Sequence, residues 1–219
     1  MTKSRYARAV IYGVMVAGLA MPLSVGTVGA EATLFDNLGT LHHEITTTSE
    51  RAQRFFDQGL RLVYAFNHEE ALTAFTEASR LDPDAPMPYW GVALSLGSNI
   101  NAAMDPKVEP RAVEALRKAT LQLAPATPKE RDYVDALASR YSLKKSVTRR
   151  VKDEAYVKAM RRLARDYPDD VDAAILSAEA LMQLRPWDYW RADGRPQPGT
   201  DELVATLEAA LQRLSLIHI

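Results

Sequence analysis

Histidine and glutamate residues near the start of the chain are its clearest candidates for binding a metal ion. His42 and His43 are adjacent, Glu44 follows them, and His68 comes 25 residues after His43. Imidazole nitrogens and carboxylate oxygens are ligands of zinc and copper, so a site would form if the segment around His42 folded back towards His68. The alternative is that these are scattered surface histidines, because adjacent rings point apart in an extended segment. The sequence leaves both interpretations open.

Residue patterns that perform catalysis are missing from the sequence. It contains no H-E-x-x-H, no G-x-S-x-G and no glycine-rich phosphate loop. The chain has no cysteine, which excludes disulfides, thiolate metal sites and cysteine nucleophiles. Asp169 and Asp170 stand where a helix would start, which is a structural position rather than that of an acid/base pair. We therefore expect a protein that is not an enzyme and has no cofactor.

The charge of the chain gives no indication of a nucleic-acid partner. Its 219 residues carry a formal net charge of -1. The most basic stretch contains Lys144, Lys145, Arg149 and Arg150 and has no interleaved aromatic residues that would stack on bases. We expect this stretch to be a solvated loop.

The first 30 residues have the features of a secretory signal peptide. Lys3, Arg5 and Arg8 form a basic start, residues 9–23 are apolar, and small residues around Ala30 offer a cleavage site. The apolar run is shorter than the roughly 20 residues of a membrane span. We expect cleavage, export to a bacterial periplasm and no membrane span in the mature protein. A retained anchor is the alternative.

The last residues are expected to be foreign to the natural protein. Residues 214–219 read Leu-Ser-Leu-Ile-His-Ile, which is the in-frame translation of a transposon end sequence used as an adaptor in sequencing libraries. We expect the natural sequence to depart from this one after Arg213 and the chain to be a fragment of a longer protein. His218 therefore receives no functional role.

Residues 52–83 carry the strongest pattern in the chain, and it predicts a pair of packed helices. The spacing matches a W-x2-L-G-x2-Y…A-x3-F…P pattern, in which Gln58 and Leu62 replace the usual Leu and Tyr. Asn67 is a favourable N-cap and Pro83 stops a helix, so the second helix is predicted over residues 68–81. The residues expected to shape this pair are Phe55, Gly59, Leu62, Ala71, Phe75, Ala78 and Pro83.

These residues resemble the tetratricopeptide repeat family, and weaker copies of the pattern continue to residue 213. The resemblance implies an all-α fold, a right-handed α-solenoid of about four helix-turn-helix repeats over residues 50–213. Residues 31–49 are expected to form an extended lead-in that covers the end of this solenoid. The signal peptide, Tyr89-Trp90-Gly91 and Asn99-Ile100-Asn101 make the chain similar to exported bacterial tetratricopeptide proteins of poorly defined role.

In that family the first helix of each repeat lines a concave groove, which implies a set of partner-binding residues here. Phe56, Leu60 and Tyr64 of the first repeat and Trp90 of the second would face the groove. Aromatic side chains bury a large area at a modest entropic cost, which suits a peptide with bulky apolar anchors. The alternative is that these side chains pack against the lead-in or against further repeats.

Three turns within the predicted repeats are longer than usual, at residues 97–109, 142–151 and 185–199. Insertions at the same place in successive repeats would gather along one edge of a solenoid. The alternative is that such loops are tolerated because long surface turns cost little closure entropy, and that their tryptophans dock onto the repeats. The binding candidates on this edge are Asn99, Asn101, Trp187, Tyr189 and Trp190.

Two kinds of function follow from these observations. The favoured prediction is a non-catalytic periplasmic scaffold that binds a protein or peptide through its groove and long loops. The alternative is a metal- or small-ligand-binding accessory protein of an envelope system, or the N-terminal part of a larger enzyme.

Overall fold

The computed structural model describes residues 32–217, with side chains to residue 214. The regular elements of this range are helices, apart from two isolated β-bridges between single residues. The predicted signal peptide and His218 lie outside the described residues. No described helix is long and apolar enough to cross a membrane. The eight helices of residues 32–217 are α1 (Glu50–Tyr64), α2 (His68–Leu81), α3 (Pro86–Ser95), α4 (Glu109–Leu121), α5 (Pro128–Ala138), α6 (Arg149–Asp166), α7 (Val171–Gln183) and α8 (Thr200–Ile217).

Side chains at the helix starts fix several of these boundaries. Ser49 Oγ accepts a hydrogen bond from Ala52 N at 3.2 Å and so begins α1. Thr127 and Glu130 exchange hydrogen bonds as a capping box at the start of α5, with Pro128 as the first helical residue. Each contact satisfies a backbone N–H that has no partner within its own helix. The sequence therefore determines these starts locally.

The turn between α1 and α2 is tight and contains a strained residue. Phe66 has a left-handed backbone, with φ 59°. Phe66 N donates to Val63 O at 3.0 Å and Asn67 N donates to Leu62 O at 2.9 Å, which is the Schellman arrangement of a helix C-terminus. Glycine usually occupies the left-handed position, because a Cβ atom crowds the backbone there. Helix α2 then covers residues 68–81 as predicted, although Asn67 makes no side-chain cap.

Two glycines allow α1, α2 and α3 to pack around one phenylalanine. A Cβ atom added at Gly59 of α1 would lie 2.7 Å from the ring of Phe75, and one added at Gly91 of α3 would lie 2.3 Å from it. Carbon atoms of neighbouring side chains do not approach so closely. The Phe75 ring of α2 therefore fills the space that both glycines leave open.

The helices pack as consecutive hairpins, which confirms the all-α prediction. Helix α1 packs on α2, α3 on α4, α5 on α6 and α7 on α8. Successive hairpins meet through α2 and α3, α4 and α5, and α6 and α7, while α3 also contacts α1 and α5. Phe55, Leu62, Ala71 and Ala78 are buried in the resulting core, whereas Pro83 is exposed just beyond α2.

Residues 32–49 form the lead-in, which contains neither helix nor strand. Its Ile45 is buried in the same core as the helices, and Leu34, Leu38 and Leu41 pack against that core. Its polar partners include residues of α1, α5 and α7. The lead-in contacts the first helices of three hairpins, which differs from the expectation that it covers one end.

The three long turns predicted from the sequence are present. They occupy residues 96–108, 139–148 and 184–199, and each joins the two helices of one hairpin. The turn of the first hairpin contains only residues 65–67. The hairpins therefore differ from one another mainly in the length of the segment that joins their two helices.

Candidate functional site

The lead-in is held against the helices by side chains that bond to its backbone. Gln58 of α1 donates from Nε2 to Thr33 O at 2.8 Å and accepts from Phe35 N at 2.7 Å. Gln53 in the same helix accepts from Ile45 N at 2.9 Å. An amide side chain has both a donor and an acceptor, so it can satisfy an extended segment in the way that a neighbouring strand would.

Two buried carboxylates hold the threonines of the lead-in. Glu130 of α5 accepts from both Thr46 N and Thr46 Oγ1 at 2.6 Å. Asp82, just after α2, accepts from Thr47 Oγ1 at 2.6 Å and from Thr48 N at 2.8 Å. Burial alone would raise the pKa of each carboxyl, but these hydrogen bonds outweigh burial and hold both pKa values below their usual range. The ionised carboxylates therefore stabilise the bound lead-in.

The two adjacent histidines of the lead-in have different environments. Asp57 Oδ2 lies 2.8 Å from His42 Nδ1, and Asp57 Oδ1 accepts from His43 N at 3.0 Å. The His42 ring is largely exposed, whereas the His43 ring is buried. Only one of the two rings therefore reaches the interior of the protein.

The buried His43 ring meets two aspartates at the start of α7. His43 Nδ1 lies 2.6 Å from Asp172 Oδ2, and Tyr64 OH donates to Asp172 Oδ1 at 2.7 Å. Asp170 is the N-cap of α7, and its Oδ2 lies 3.0 Å from Lys129 Nζ. One potential ligand atom from each of His43, Asp170 and Asp172 falls within 4.8 Å of the other two. Because His43 belongs to the lead-in and both aspartates belong to the start of α7, the cluster connects these two segments.

This cluster has the residue types of a metal site, but a cation there would displace existing bonds and would meet the positive charge of Lys129. We interpret it as a polar link that holds the lead-in in place. The candidate ligands His42, His43 and His68 are not brought together, since no group of three close ligands within residues 32–217 combines them. The reason is that the His42 ring turns towards solvent and His68 belongs to a separate cavity.

Most of the residues predicted to face an open groove are buried instead. Phe56 and Trp90 are 0% and 2% exposed, and Leu60 is buried as well. The His43 ring packs on Phe56 and Tyr133, with ring centroids 5.9 and 5.5 Å apart. The prediction of an exposed partner-binding stripe is therefore corrected, because Phe56, Leu60 and Trp90 are buried and the Phe56 ring packs on His43 of the lead-in.

A cavity of ≈ 510 Å³ lies where parts of all four hairpins converge. Its walls come from the ends of α1 and α3, the turns that follow α1, α3 and α5, the inner side of α7 and one face of α8. The turns of the first three hairpins therefore meet at one place, whereas the loop 184–199 does not line the cavity. The polar lining residues are Tyr64, His68, Ser98, Asn99, Arg140 and Glu179. The apolar lining residues are Val63, Phe66, Leu94, Ile100, Ile175, Leu176, Met182, Leu207 and Leu214.

Arg140, which follows α5, lines the cavity and carries a positive charge that is not lost at ordinary pH. It is 1% exposed, and its Cζ lies 4.9 Å from the centroid of the Tyr156 ring. Arg140 Nη2 donates to Ser98 O at 2.6 Å and to Ser98 Oγ at 2.8 Å, and it also contacts Gln183 Oε1. Arg140 Nε has no hydrogen-bond partner among the residues that the structure describes. A buried cation at the wall therefore keeps one donor unused.

Two titratable groups share the cavity wall with Arg140. Burial raises the pKa of Glu179 above its ordinary value, although the charge of Arg140 opposes this shift. Burial lowers the pKa of His68, and the charge of Arg140 lowers it further. Both ring nitrogens of His68 are shielded from solvent and lack a hydrogen-bond partner in the described part of the chain. Arg140 and His68 both line the cavity, but their unpaired nitrogens are shielded from it as they are from solvent.

Phe66 lines this cavity and has a strained backbone. It keeps its left-handed backbone although it is a bulky residue, and its ring lies edge-on to His68 with centroids 6.1 Å apart. Its side chain is half exposed. Strained residues persist where the surrounding structure holds them, and they are common at binding sites. The strain at Phe66 is therefore consistent with a functional cavity.

The remaining predicted binding residues have different environments. Asn99 lines the cavity, but its Oδ1 closes a turn by accepting from Asn101 N at 2.8 Å. Trp187 and Trp190 are 71% and 55% exposed in the loop 184–199, and Tyr189 is partly buried there. The structure thus brings Asn99 to the cavity and leaves the two tryptophans outside it.

Sequence reasoning missed Arg140 and Glu179, the charged residues of the cavity. Neither belongs to a motif, and a lone arginine or glutamate in a helical region is usually solvated. The contacts of Arg140 with Ser98 and Gln183 span 42 and 43 residues. Its role therefore depends on long-range packing, which local periodicity does not indicate.

Comparison with known proteins gives no match for this chain: no family model, no curated protein and no solved structure is similar to it. What the protein does must therefore be inferred from the geometry of its own residues.

Proposed function

We propose that the protein binds a small, largely apolar molecule in the cavity between its helical hairpins, without catalysing a reaction. The observation that carries this proposal is a largely apolar cavity to whose lining His68, Arg140 and Glu179 contribute a few polar groups. Small-molecule sites are typically concave, mostly apolar and supplied with a few polar groups, and their volumes are roughly 300–1,000 Å³. The cavity volume of ≈ 510 Å³ lies within that range.

The position of the lead-in favours a small ligand over a peptide. An extended peptide would bind along the first helices of the hairpins, and residues 32–49 already lie there. Binding in that place would require the loss of hydrogen bonds such as those of Gln58 and Glu130 with the lead-in. The cavity, in contrast, is present while the lead-in is bound.

Nile red, a neutral dye whose fluorescence increases in apolar surroundings, provides a direct test. The wild-type protein should bind the dye, and Ile175→Trp should abolish binding because the larger ring fills the cavity from α7. Val151→Trp introduces the same ring at an exposed position outside the cavity and should bind as the wild type does. Circular dichroism would establish that both variants are folded. Undiminished dye binding by Ile175→Trp would contradict the proposal.

A second candidate function is contact with a protein through the loop 184–199. The observation that favours it is the exposure of Trp187 and Trp190, because exposed tryptophans are enriched among the residues that dominate protein interfaces. The double variant Trp187→Ser, Trp190→Ser should lose a partner captured from envelope extracts. Leu143→Ser removes an exposed apolar side chain from a different loop and should retain it. Capture of the same partner by both variants would reject this candidate.

We also propose that the stacked hairpins are a solenoid of the tetratricopeptide type and that the protein is exported. The spacing of residues 52–83 supports the first proposal, and the basic and apolar residues of the first 30 positions support the second. After expression in a bacterium, N-terminal sequencing of the periplasmic fraction should find a new terminus close to Ala30. Recovery of the chain only in the cytoplasm with Met1 or Thr2 at its start would reject export.

A further inference from the structure

A second, smaller pocket lies between α6, α7, α8 and the loop 184–199, and three arginines line it. Its volume is ≈ 250 Å³. Arg150 and Arg161 belong to α6, and Arg185 follows α7. The described residues that line this pocket include no acidic side chain. Three positive charges from two segments of the chain therefore border one small space.

Arg185 is the arginine of this pocket that has no partner. Its guanidinium makes no hydrogen bond and no ion pair with the part of the chain that the structure describes. Its nitrogens are also absent from the unpaired atoms that are shielded from solvent, which distinguishes them from Nε of Arg140. An arginine carries five N–H donors and stays charged at ordinary pH. Arg185 therefore has accessible donors that a ligand can use.

The other two arginines are held only by exposed ion pairs. Arg161 donates from Nε and Nη2 to the two carboxylate oxygens of Glu202, at 2.6 Å each. Arg150 Nε lies 2.5 Å from Glu154 Oε1. Exposed pairs of this kind contribute little to stability, so either arginine can turn towards a ligand at small cost. Because two glutamates pair with Arg150 and Arg161, the charge of Arg185 remains in excess.

We propose that this pocket binds a phosphate group attached to a small apolar body, as in a phosphate monoester. The planar guanidinium group matches the oxygen atoms of phosphate and of carboxylate. A carboxylate has two oxygen atoms, and a single arginine can bind both. A phosphate monoester has three terminal oxygen atoms and can meet arginines that approach from different sides. The site shares no lining residue with the larger cavity, so this inference is independent of the proposed function.

The rest of the pocket wall favours an apolar body next to the phosphate. The hydroxyl of Thr200 already donates to Tyr189 O at 2.7 Å, which leaves the arginines as the main donors. An apolar group gains affinity in proportion to the apolar area that it buries. The apolar lining residues are Leu181, Leu184, Pro198 and Leu203.

Calorimetric titration of the full chain at pH 8 and low ionic strength tests the inference. The probes are phenyl phosphate, benzoate and phenol, which share one ring, and inorganic phosphate, which lacks it. We expect phenyl phosphate to bind about tenfold more tightly than benzoate or inorganic phosphate, because an additional charge-assisted hydrogen bond or a buried ring contributes roughly that factor. We expect phenol to bind most weakly.

Each other outcome overturns a stated part of the inference. If benzoate or phenol binds as tightly as phenyl phosphate, the ligand group is not a phosphate. If inorganic phosphate binds as tightly, the apolar body is wrong. If phenyl phosphate does not bind, the site is rejected. Nile red binding in the larger cavity is measured separately, so these results leave the proposed function unaffected.

Two matched variants assign the effect to the pocket. Arg185→Gln removes the unpartnered charge, so phenyl phosphate should bind about tenfold more weakly. Arg191→Gln removes the same charge from an exposed position of the same loop that does not line the pocket, and it should bind as the wild type does. Equal weakening in both variants would show general attraction by positive charge and would reject the site. Undiminished binding by Arg185→Gln would reject it as well.

Discussion

Gly59 and Gly91 show how the absence of a side chain determines the packing of three helices. Neither position requires an unusual backbone, because glycine is needed there only for the space that the Phe75 ring occupies. The repeat pattern predicted a small residue at Gly59. It did not indicate that Gly91 contacts the same ring, because that contact depends on how α3 packs on the first hairpin.

The contact with Phe75 can be tested by a double-mutant cycle. Gly59→Ala should destabilise the protein by about 1 to 3 kcal/mol, because its Cβ would overlap the ring. Phe75→Leu creates room, so adding Gly59→Ala to it should cost less than adding it to the wild type. Urea unfolding of the four proteins measures the free energies. Strictly additive values would show that Phe75 is not the side chain that excludes a Cβ atom.

Phe56 and Trp187, both predicted from the sequence as binding residues, differ in burial. Phe56→Ala should lower the free energy of unfolding by about 3 to 5 kcal/mol, since the side chain is fully buried. Trp187→Ala should change it by no more than about 0.5 kcal/mol, since most of that ring is in solvent. Urea unfolding measures both values. A negligible effect of Phe56→Ala would restore the interpretation of Phe56 as a groove residue.

At the scale of elements, the features that the sequence predicted are those with local causes. Helix α2 ends before Pro83, the long turns fall where they were expected, and the lead-in lacks helix or strand. The path of the lead-in was not predicted, because it depends on carboxylates such as Glu130 and Asp172. The residues of the bond between His43 and Asp172 are 129 positions apart in the sequence, and a pattern of neighbouring residues does not indicate such a contact.

The carboxylates that hold the lead-in make its stabilisation dependent on pH. The pKa of Glu130 is lower in the folded protein than its ordinary value, so its contribution is complete above the unfolded pKa of about 4.3 and is lost as the pH falls through the folded pKa. Glu130→Gln should therefore be less stable than the wild type at pH 7, and the difference should shrink at pH 3. Urea unfolding at both values measures it.

Glu154→Gln is the control for this titration. Glu154 lies on the exposed side of α6 and pairs with Arg150, so its replacement should have a small effect at both pH values. If Glu130→Gln lowered the stability by the same amount at pH 7 and pH 3, its ionised form would not be what holds Thr46.

At the scale of the whole molecule, the lead-in completes the hydrophobic core. Ile45 is part of that core, and the lead-in covers the first helices where Phe56 and Trp90 are buried. A protein that lacks residues 32–46 should therefore unfold at lower urea concentration than the full chain. A synthetic peptide of residues 32–49, added in excess, should restore part of the lost stability by binding only the folded state.

A peptide with alanine at positions 43 and 46 provides the matched control for this complementation. It lacks the His43 ring that reaches Asp172 and the Thr46 hydroxyl that reaches Glu130, so it should restore less stability at the same concentration. Equal rescue by both peptides would show that the polar contacts of the lead-in do not determine its binding.

The distance between His43 and Asp172 along the chain also sets the order in which the protein can fold during synthesis. The lead-in leaves the ribosome first, but its partner in α7 follows 129 residues later. At about 5 to 20 residues per second, this interval lasts roughly 6 to 26 s. During that time the first hairpins can pack, whereas the His43 ring that packs on Phe56 is not yet held by Asp172. The earliest residues of the folded chain are therefore among the last to reach their final position, and a chaperone that recognises apolar surface has that interval in which to bind.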